Sequence, residues 1–235
     1  MKTARGFSLI EMAFVLVIVT LLLGGLLVPF STQVEQKRIA ETQKTLDETK
    51  EALVGYALAN GYLPCPDIRT AIAGGTPNDG LEDSDSLGQC LSYEGNIPWA
   101  TLGVGAVDAW GNRLRYRVDP AFAIHSTGYI KLTSTANLRV CQNAGCAVIV
   151  ADKIPAILLS HGKNGYGAIN ATTNQPNIAP GATLLDELEN TNGDTIFVSR
   201  VQTGPGAGNS EFDDLVAWLS PNVLFNRMVA AGKLP

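Results

Sequence analysis

The sequence predicts an α+β protein, in which a long N-terminal helix packs on a C-terminal domain with an antiparallel β-sheet. Three observations support this prediction. A predominantly apolar run covers residues 7–28 and contains a single charged residue, Glu11. A polar segment with apolar residues at helical spacing continues through residues 29–61. Residues 62–235 are rich in glycine and contain short runs bounded by turn-forming residues, which indicates strands joined by loops.

The apolar run is long enough to cross a membrane as a helix. At ~1.5 Å per residue, residues 7–28 extend for about 33 Å, and the apolar core of a bilayer is ~30 Å thick. Lys2 and Arg5 precede the run, and basic residues favour the cytoplasmic side of a membrane. We therefore expect a single-pass protein whose C-terminal residues lie outside the cytoplasm.

Residues 29–61 are predicted to extend this helix as an amphipathic stalk. Good helix formers separate the apolar residues, and Asn60-Gly61 followed by Pro64 is a typical helix stop. One face of the stalk is expected to pack on the globular domain through spaced apolar side chains: Val34, Ile39, Leu46, Leu53, Val54 and Ala57.

The globular part is predicted to begin with a loop and to continue with strands. Residues 62–98 are rich in glycine, proline and aspartate, which favours a loop. Trp110 is expected to fill the domain core, and Gly111-Asn112 to turn into a strand that alternates apolar and basic residues. The predicted strands cover residues 113–118, 129–133, 138–141, 147–150 and 156–160.

A short helix is predicted near the C terminus. Ser220 and Pro221 are typical of an N-cap and a first helical turn, and Gly232 follows the expected last residue, Ala231. This apolar helix is expected to pack on the domain or to contact another subunit.

The charge and the residue types exclude two classes of function. The formal net charge is −5, and removal of residues 1–6 with their two basic residues gives −5 − 2 = −7. Without a basic cluster, the chain lacks the cation density that nucleic-acid binding requires. A membrane-anchored enzyme would need convergent catalytic groups, and two histidines among scattered aspartates do not supply them. We expect neither nucleic-acid binding nor catalysis.

Four cysteines follow the apolar run: Cys65, Cys90, Cys141 and Cys146. An even number of cysteines outside the cytoplasm favours disulfides. The short spacing of Cys141 and Cys146 favours a bridge across a tight turn, which leaves Cys65 with Cys90. A zinc site is the alternative, although the chain has no Cys-x-x-Cys pair.

The N-terminal residues Gly6-Phe7-Ser8-Leu9-Ile10-Glu11 resemble the class III signal of type IV prepilins and type II secretion pseudopilins. The resemblance implies cleavage between Gly6 and Phe7 by a prepilin peptidase, and N-methylation of Phe7. It also implies a lollipop layout, in which the helix forms the stalk of the globular domain. Glu11 would pair with the amino terminus of a neighbouring subunit during assembly. On physical grounds alone, Glu11 could instead reach the lipid headgroups.

The same resemblance implies partners, location and function. The partners would be other pilin or pseudopilin subunits, the prepilin peptidase and an inner-membrane assembly platform. The chain would lie in the bacterial inner membrane and then in a periplasmic or cell-surface filament, as a structural subunit of a type IV pilus or a type II secretion pseudopilus. The alternative is a minor pilin that acts as a tip adhesin or a substrate-binding module.

Two further segments resemble major pseudopilins. Residues 108–112 are similar to a turn of that family, with Ala109 in place of the usual proline, and residues 160–167 are similar to a loop that holds calcium. We expect no cofactor, with calcium as the alternative, because the oxygen ligands that calcium needs are not spaced as a known loop. The weak calcium candidates are Asn164, Asp194, Asp213 and Asp214.

Overall fold

The computed structural model describes residues 8–123, 130–204 and 206–234, and for residues 22–30 and 209 it describes the backbone alone. The predicted cleavage site at Gly6 and Phe7 lies outside the described residues. The chain divides into two compact units, residues 1–40 and residues 41–235. The fold is α+β, as predicted, with an N-terminal helix and a C-terminal domain rich in antiparallel strands.

Helix α1 (Leu9–Asn60) contributes to both units. In the first unit, the side chains of residues 8–21 are exposed. Where side chains are described, no helix combines the length and the apolar character needed to cross a membrane.

In the second unit, α1 buries one face against the domain. Leu46, Leu53 and Ala57 are fully buried and belong to the main hydrophobic cluster. Thr42 shares the buried face, and its hydroxyl oxygen accepts a 3.1 Å hydrogen bond from the amide of Ala109. The spacing of these side chains is that of one helix face, so this part of α1 is a structural element of the domain.

A four-stranded antiparallel sheet forms the centre of the second unit. Its order is β1 (Glu94–Asn96), β2 (Arg115–Val118), β5 (Ala156–Ser160) and β7 (Leu215–Leu219). Every residue of β5 is buried. Ala156 and Leu158 contact the main cluster, whereas Ile157 and Leu159 contact a second cluster, so both faces of this strand are covered.

A three-stranded sheet covers the second cluster. Its order is β4 (Ile149–Ile154), β3 (Leu138–Cys141) and β6 (Ile196–Val198). β3 pairs antiparallel with β4 and parallel with β6. Short helices complete the unit: α2 (Trp99–Leu102), α3 (Pro120–Ala123), α4 (Leu185–Glu189) and α5 (Pro221–Ala230).

The predicted strands differ in their outcome. The prediction is confirmed for residues 138–141 and 156–160, while the strands predicted at 113–118 and 147–150 are present with shifted ends. The strand predicted at 129–133 is wrong for its described residues, 130–133, which form a turn. Lys131 and Ser134 close this turn, because the Lys131 amide donates to the Ser134 hydroxyl oxygen and the Ser134 amide donates to the Lys131 carbonyl.

Trp110 does not fill the core, contrary to the prediction. Its side chain is half-buried and belongs to neither cluster, whereas Tyr116 is fully buried in the main one. The carboxylate of Asp108 accepts the amides of Trp110 and Asn112, each at 2.9 Å. This buried carboxylate therefore fixes the turn before β2.

The structure contains two disulfides, Cys65–Cys90 and Cys141–Cys146. The second closes the connection between β3 and β4. Since all four cysteines are bridged, none remains as a zinc ligand. At the C-terminal end, α5 begins at Pro221, as predicted, and buries Leu224 and Met228.

Candidate functional site

The start of α1 holds Glu11 by a reciprocal pair of hydrogen bonds with Ser8. The Ser8 amide donates to Oε2 of Glu11 at 2.8 Å, and the Glu11 amide donates to Oγ of Ser8 at 3.3 Å. This is a capping box, in which each side chain accepts an otherwise unpaired amide of the first helical turn. The carboxylate therefore lies at the positive end of the helix dipole, where an anion is favoured.

Glu11 stands among exposed apolar side chains. Leu9 is 93% exposed, Phe14 is 65% exposed, and the apolar side chains continue around the helix to Leu21. A soluble monomer rarely exposes an apolar surface of this extent. A surface of this kind is typical of a helix that lipid or another protein covers.

A second site brings together three carboxylates in the second unit. Glu187 lies on α4, and Asp213 and Asp214 immediately precede β7. One oxygen from each carboxylate lies within 4.8 Å of the other two. Glu187 and Asp214 are only 1% and 3% exposed, so these charges are placed where solvation is weak.

Each carboxylate has one oxygen that accepts hydrogen bonds and one that does not. Oε1 of Glu187 accepts from the Asn164 side-chain amide at 3.0 Å and from the Asp213 amide at 3.1 Å. Oδ2 of Asp213 accepts from the Asn164 amide at 2.8 Å, and Oδ2 of Asp214 from the Asn190 side chain at 2.7 Å. The other oxygens are buried and accept no hydrogen bond from the described residues: Glu187 Oε2, Asp213 Oδ1 and Asp214 Oδ1.

The burial of this cluster changes the pKa of its members. Burial raises the pKa of Asp213 to about 7, and the charges of the two neighbouring carboxylates add to this effect. Burial also raises the pKa of Glu187, with the negative charge of Asp214 as a further cause, and burial raises the pKa of Asp214 itself. A positive charge at the centre would lower all three pKa values.

His161 does not supply that charge. Its Nδ1 lies 3.5 Å from Oδ1 of Asp214, but burial lowers the pKa of the imidazole, and the positive charges of Arg115 and Arg69 lower it further. The neighbouring Ser160 hydroxyl donates to Asp108 at 2.8 Å rather than to His161. Ser160 and His161 therefore do not form a nucleophile–base pair.

Three of the four residues that the sequence suggests as calcium ligands lie together, and the fourth lies elsewhere. Asn164, Asp213 and Asp214 lie together, whereas Asp194 is exposed, contacts Asn192 and lies outside the cluster. Asn164 donates to the carboxylates of Glu187 and Asp213, and its side-chain oxygen accepts the Tyr166 amide at 2.9 Å.

Sequence reasoning missed Glu187. It lies in an acidic run that resembles a solvated helix, and no spacing rule connects it with Asp213, 26 residues later. Gly162 permits the approach of the two segments. Its φ is +57°, and a Cβ at this position would collide with the carbonyl and carboxylate of Asp213.

The residues of the cluster fit a hard divalent cation such as calcium. Unpaired carboxylate oxygens are suitable ligands, and a cation among them would compensate the burial of three acids. Glu187, Asp213 and Asp214 are the residues that would hold it.

Residues 1–27 match the family model described as the prokaryotic N-terminal methylation motif. The chain carries the class III signal of type IV pilins. No curated protein and no solved structure matched the chain in the two other comparisons.

The class III signal includes the described residues Ser8 and Glu11. The capping box is therefore part of the matched segment, and the exposed apolar side chains around Glu11 follow directly from it. The carboxylate cluster lies far outside the matched residues, so the signal and the cluster are independent features.

Proposed function

We propose that this chain is a precursor subunit of a helical filament, either a type IV pilus or a type II secretion pseudopilus. The class III signal carries the proposal, because it opens directly onto a helix with exposed apolar side chains. The subunit has a structural role and no catalysis of its own.

A prepilin peptidase would cut between Gly6 and Phe7 and methylate the new amino group of Phe7. The apolar residues 7–28 would remain on the mature chain and hold it in the bacterial inner membrane until assembly. The domain would then lie outside the cytoplasm, where the two disulfides are stable. An inner-membrane platform would add the subunit to a periplasmic or cell-surface filament.

Glu11 would pair with the positive amino terminus of the neighbouring subunit. A carboxylate in an apolar helix bundle is costly unless a cation compensates it, and a pair removes two such costs together. The Ser8 amide donates to Oε2 of Glu11. No hydrogen bond among the described residues involves Oε1, which would accept from the partner's amino terminus. The pair would fix the axial register between subunits.

Replacement of Glu11 tests this role. We expect Glu11→Val to insert in the membrane as the wild type does and to reduce the filament yield in sheared fractions at least about tenfold, since the register pair is lost. Glu48→Val, on an exposed part of α1, is the matched control and should leave the yield unchanged. A normal filament yield from Glu11→Val would remove the register role.

A further inference from the structure

Strand β4 is an open edge of the three-stranded sheet. It pairs with β3 on one side, and among residues 8–123, 130–204 and 206–234 no strand pairs with its other side. Ile149 and Val150, the first two residues of β4, are 50% and 47% exposed, and Val148, just before the strand, is 52% exposed. Because successive side chains point to opposite faces of a strand, both faces are apolar here.

Two other edges of the sheets are closed by the protein itself. At β6, the buried side chain of Asn190 donates to the Val198 carbonyl at 3.1 Å and accepts the Val198 amide at 2.7 Å. At β1, Asp67 and Asn96 exchange two backbone hydrogen bonds. Proteins close such edges to prevent pairing with other chains, and no described residue closes β4 in this way.

The chemistry of this edge points to a partner strand of the same kind. Residues 141–151 carry no charge, and residues 147–151 are alanine, valine and isoleucine. A charged partner strand would lose solvation against this segment, whereas an uncharged β-branched strand would extend the ladder and bury the apolar side chains. The segment 147–151 of a second copy has this composition and the same free edge.

The length of the edge limits the strength of the contact. Asp152 and Lys153 follow the apolar residues, and Lys153 has a φ of +55° where the pairing with β3 is irregular. A five-residue ladder buries too little area for a stable dimer in dilute solution. It therefore requires copies that are already held close together.

We propose that β4 of one copy pairs, antiparallel and edge to edge, with β4 of a second copy of this chain. The proposal rests on the proposed function for its high local concentration, because subunits confined to one membrane before assembly meet often enough for a short ladder to form.

Cysteine cross-linking on cells tests the pairing. Val150→Cys places a thiol on the edge, and Ile178→Cys, at a position that is 81% exposed and lies outside β4, is the matched control. After treatment with a short bismaleimide, we expect at least about tenfold more cross-linked homodimer from Val150→Cys than from Ile178→Cys. Intact mass confirms beforehand that both native disulfides are retained.

A second variant and a parallel filament assay complete the test. Adding Ile149→Lys to Val150→Cys should abolish the excess dimer, because lysine on the edge opposes pairing. Equal dimer from the two single-cysteine variants, an unchanged yield in the double variant, or a cross-link to a different protein would overturn the proposal. Normal sheared filaments without the dimer reject the pairing alone. Dimer on cells whose wild-type chain never enters sheared filaments supports the pairing and contradicts the proposed function.

Discussion

Three carboxylates in the second unit each keep one buried oxygen that has no hydrogen-bond donor in the part of the chain that the structure describes. The pKa of Asp213 is raised to about 7, so the folded chain holds a proton that the unfolded chain has lost between pH ~4 and ~7. The contribution of Asp213 to the free energy of unfolding is therefore fully present below pH ~4 and is lost as the pH rises through about 7. A bound cation would remove this loss, because it stabilises the ionised carboxylates.

We predict that calcium stabilises the mature chain most at alkaline pH. At pH ~8, saturating calcium should raise Tm by about 5 °C or more, and the increase should shrink at pH ~5, where protons occupy the cluster. Differential scanning calorimetry of the full mature chain in detergent measures both values.

Matched variants locate the effect. Glu187→Gln should lose the calcium-dependent rise in Tm, while Asp194→Asn, outside the cluster, should keep it. If Glu187→Gln responded to calcium as the wild type does, the cluster would not be the cation site.

The packing of α1 determines much of the stability of the second unit. Leu53 is fully buried in the main cluster together with Leu46 and Ala57. We predict that Leu53→Ala lowers the free energy of unfolding by about 2–5 kcal/mol, because it leaves a cavity in the core. Urea unfolding followed by circular dichroism measures the change. The exposed control Glu48→Ala should stay within ~0.5 kcal/mol of the wild type, and a loss below ~1 kcal/mol for Leu53→Ala would show that this face is not a core face.

At the scale of elements, local patterns predicted some strands and tertiary contacts decided the others. β3 and β5 are short apolar runs between turn residues, and their bounds could be predicted. The alternation of apolar and basic residues in β2 is typical of a half-buried strand, but three of its four residues are buried, including Arg115. Arg115 is buried because Glu94, 21 residues earlier, forms an ion pair with both Arg115 and Arg117.

Strands β1, β6 and β7 were not predicted, and the members of the carboxylate cluster were predicted only in part. β6 has three residues, and its hydrogen bonds come from β3 and from the side chain of Asn190, so no local signal precedes the tertiary contact. Likewise, Glu187 joins Asp213 only after the chain has folded. By contrast, the class III signal is a contiguous motif, and the sequence alone was sufficient to find it.

At the scale of the whole molecule, the proposed function gives the N-terminal signal and the domain separate roles. The signal would direct cleavage and assembly through residues 1–28, whereas the domain would supply the outer surface of the filament, including the open β4 edge. All of these roles depend on cleavage that leaves the apolar helix on the mature chain.

The mass of the protein recovered from cells tests this dependence most directly. For the wild type, we predict a chain that begins at Phe7 and carries one methyl group on its amino terminus, and for Gly6→Leu a chain that retains all 235 residues and forms no filaments. Assembled wild-type protein that still contained residues 1–6, or Gly6→Leu that was shortened by these residues, would contradict the account.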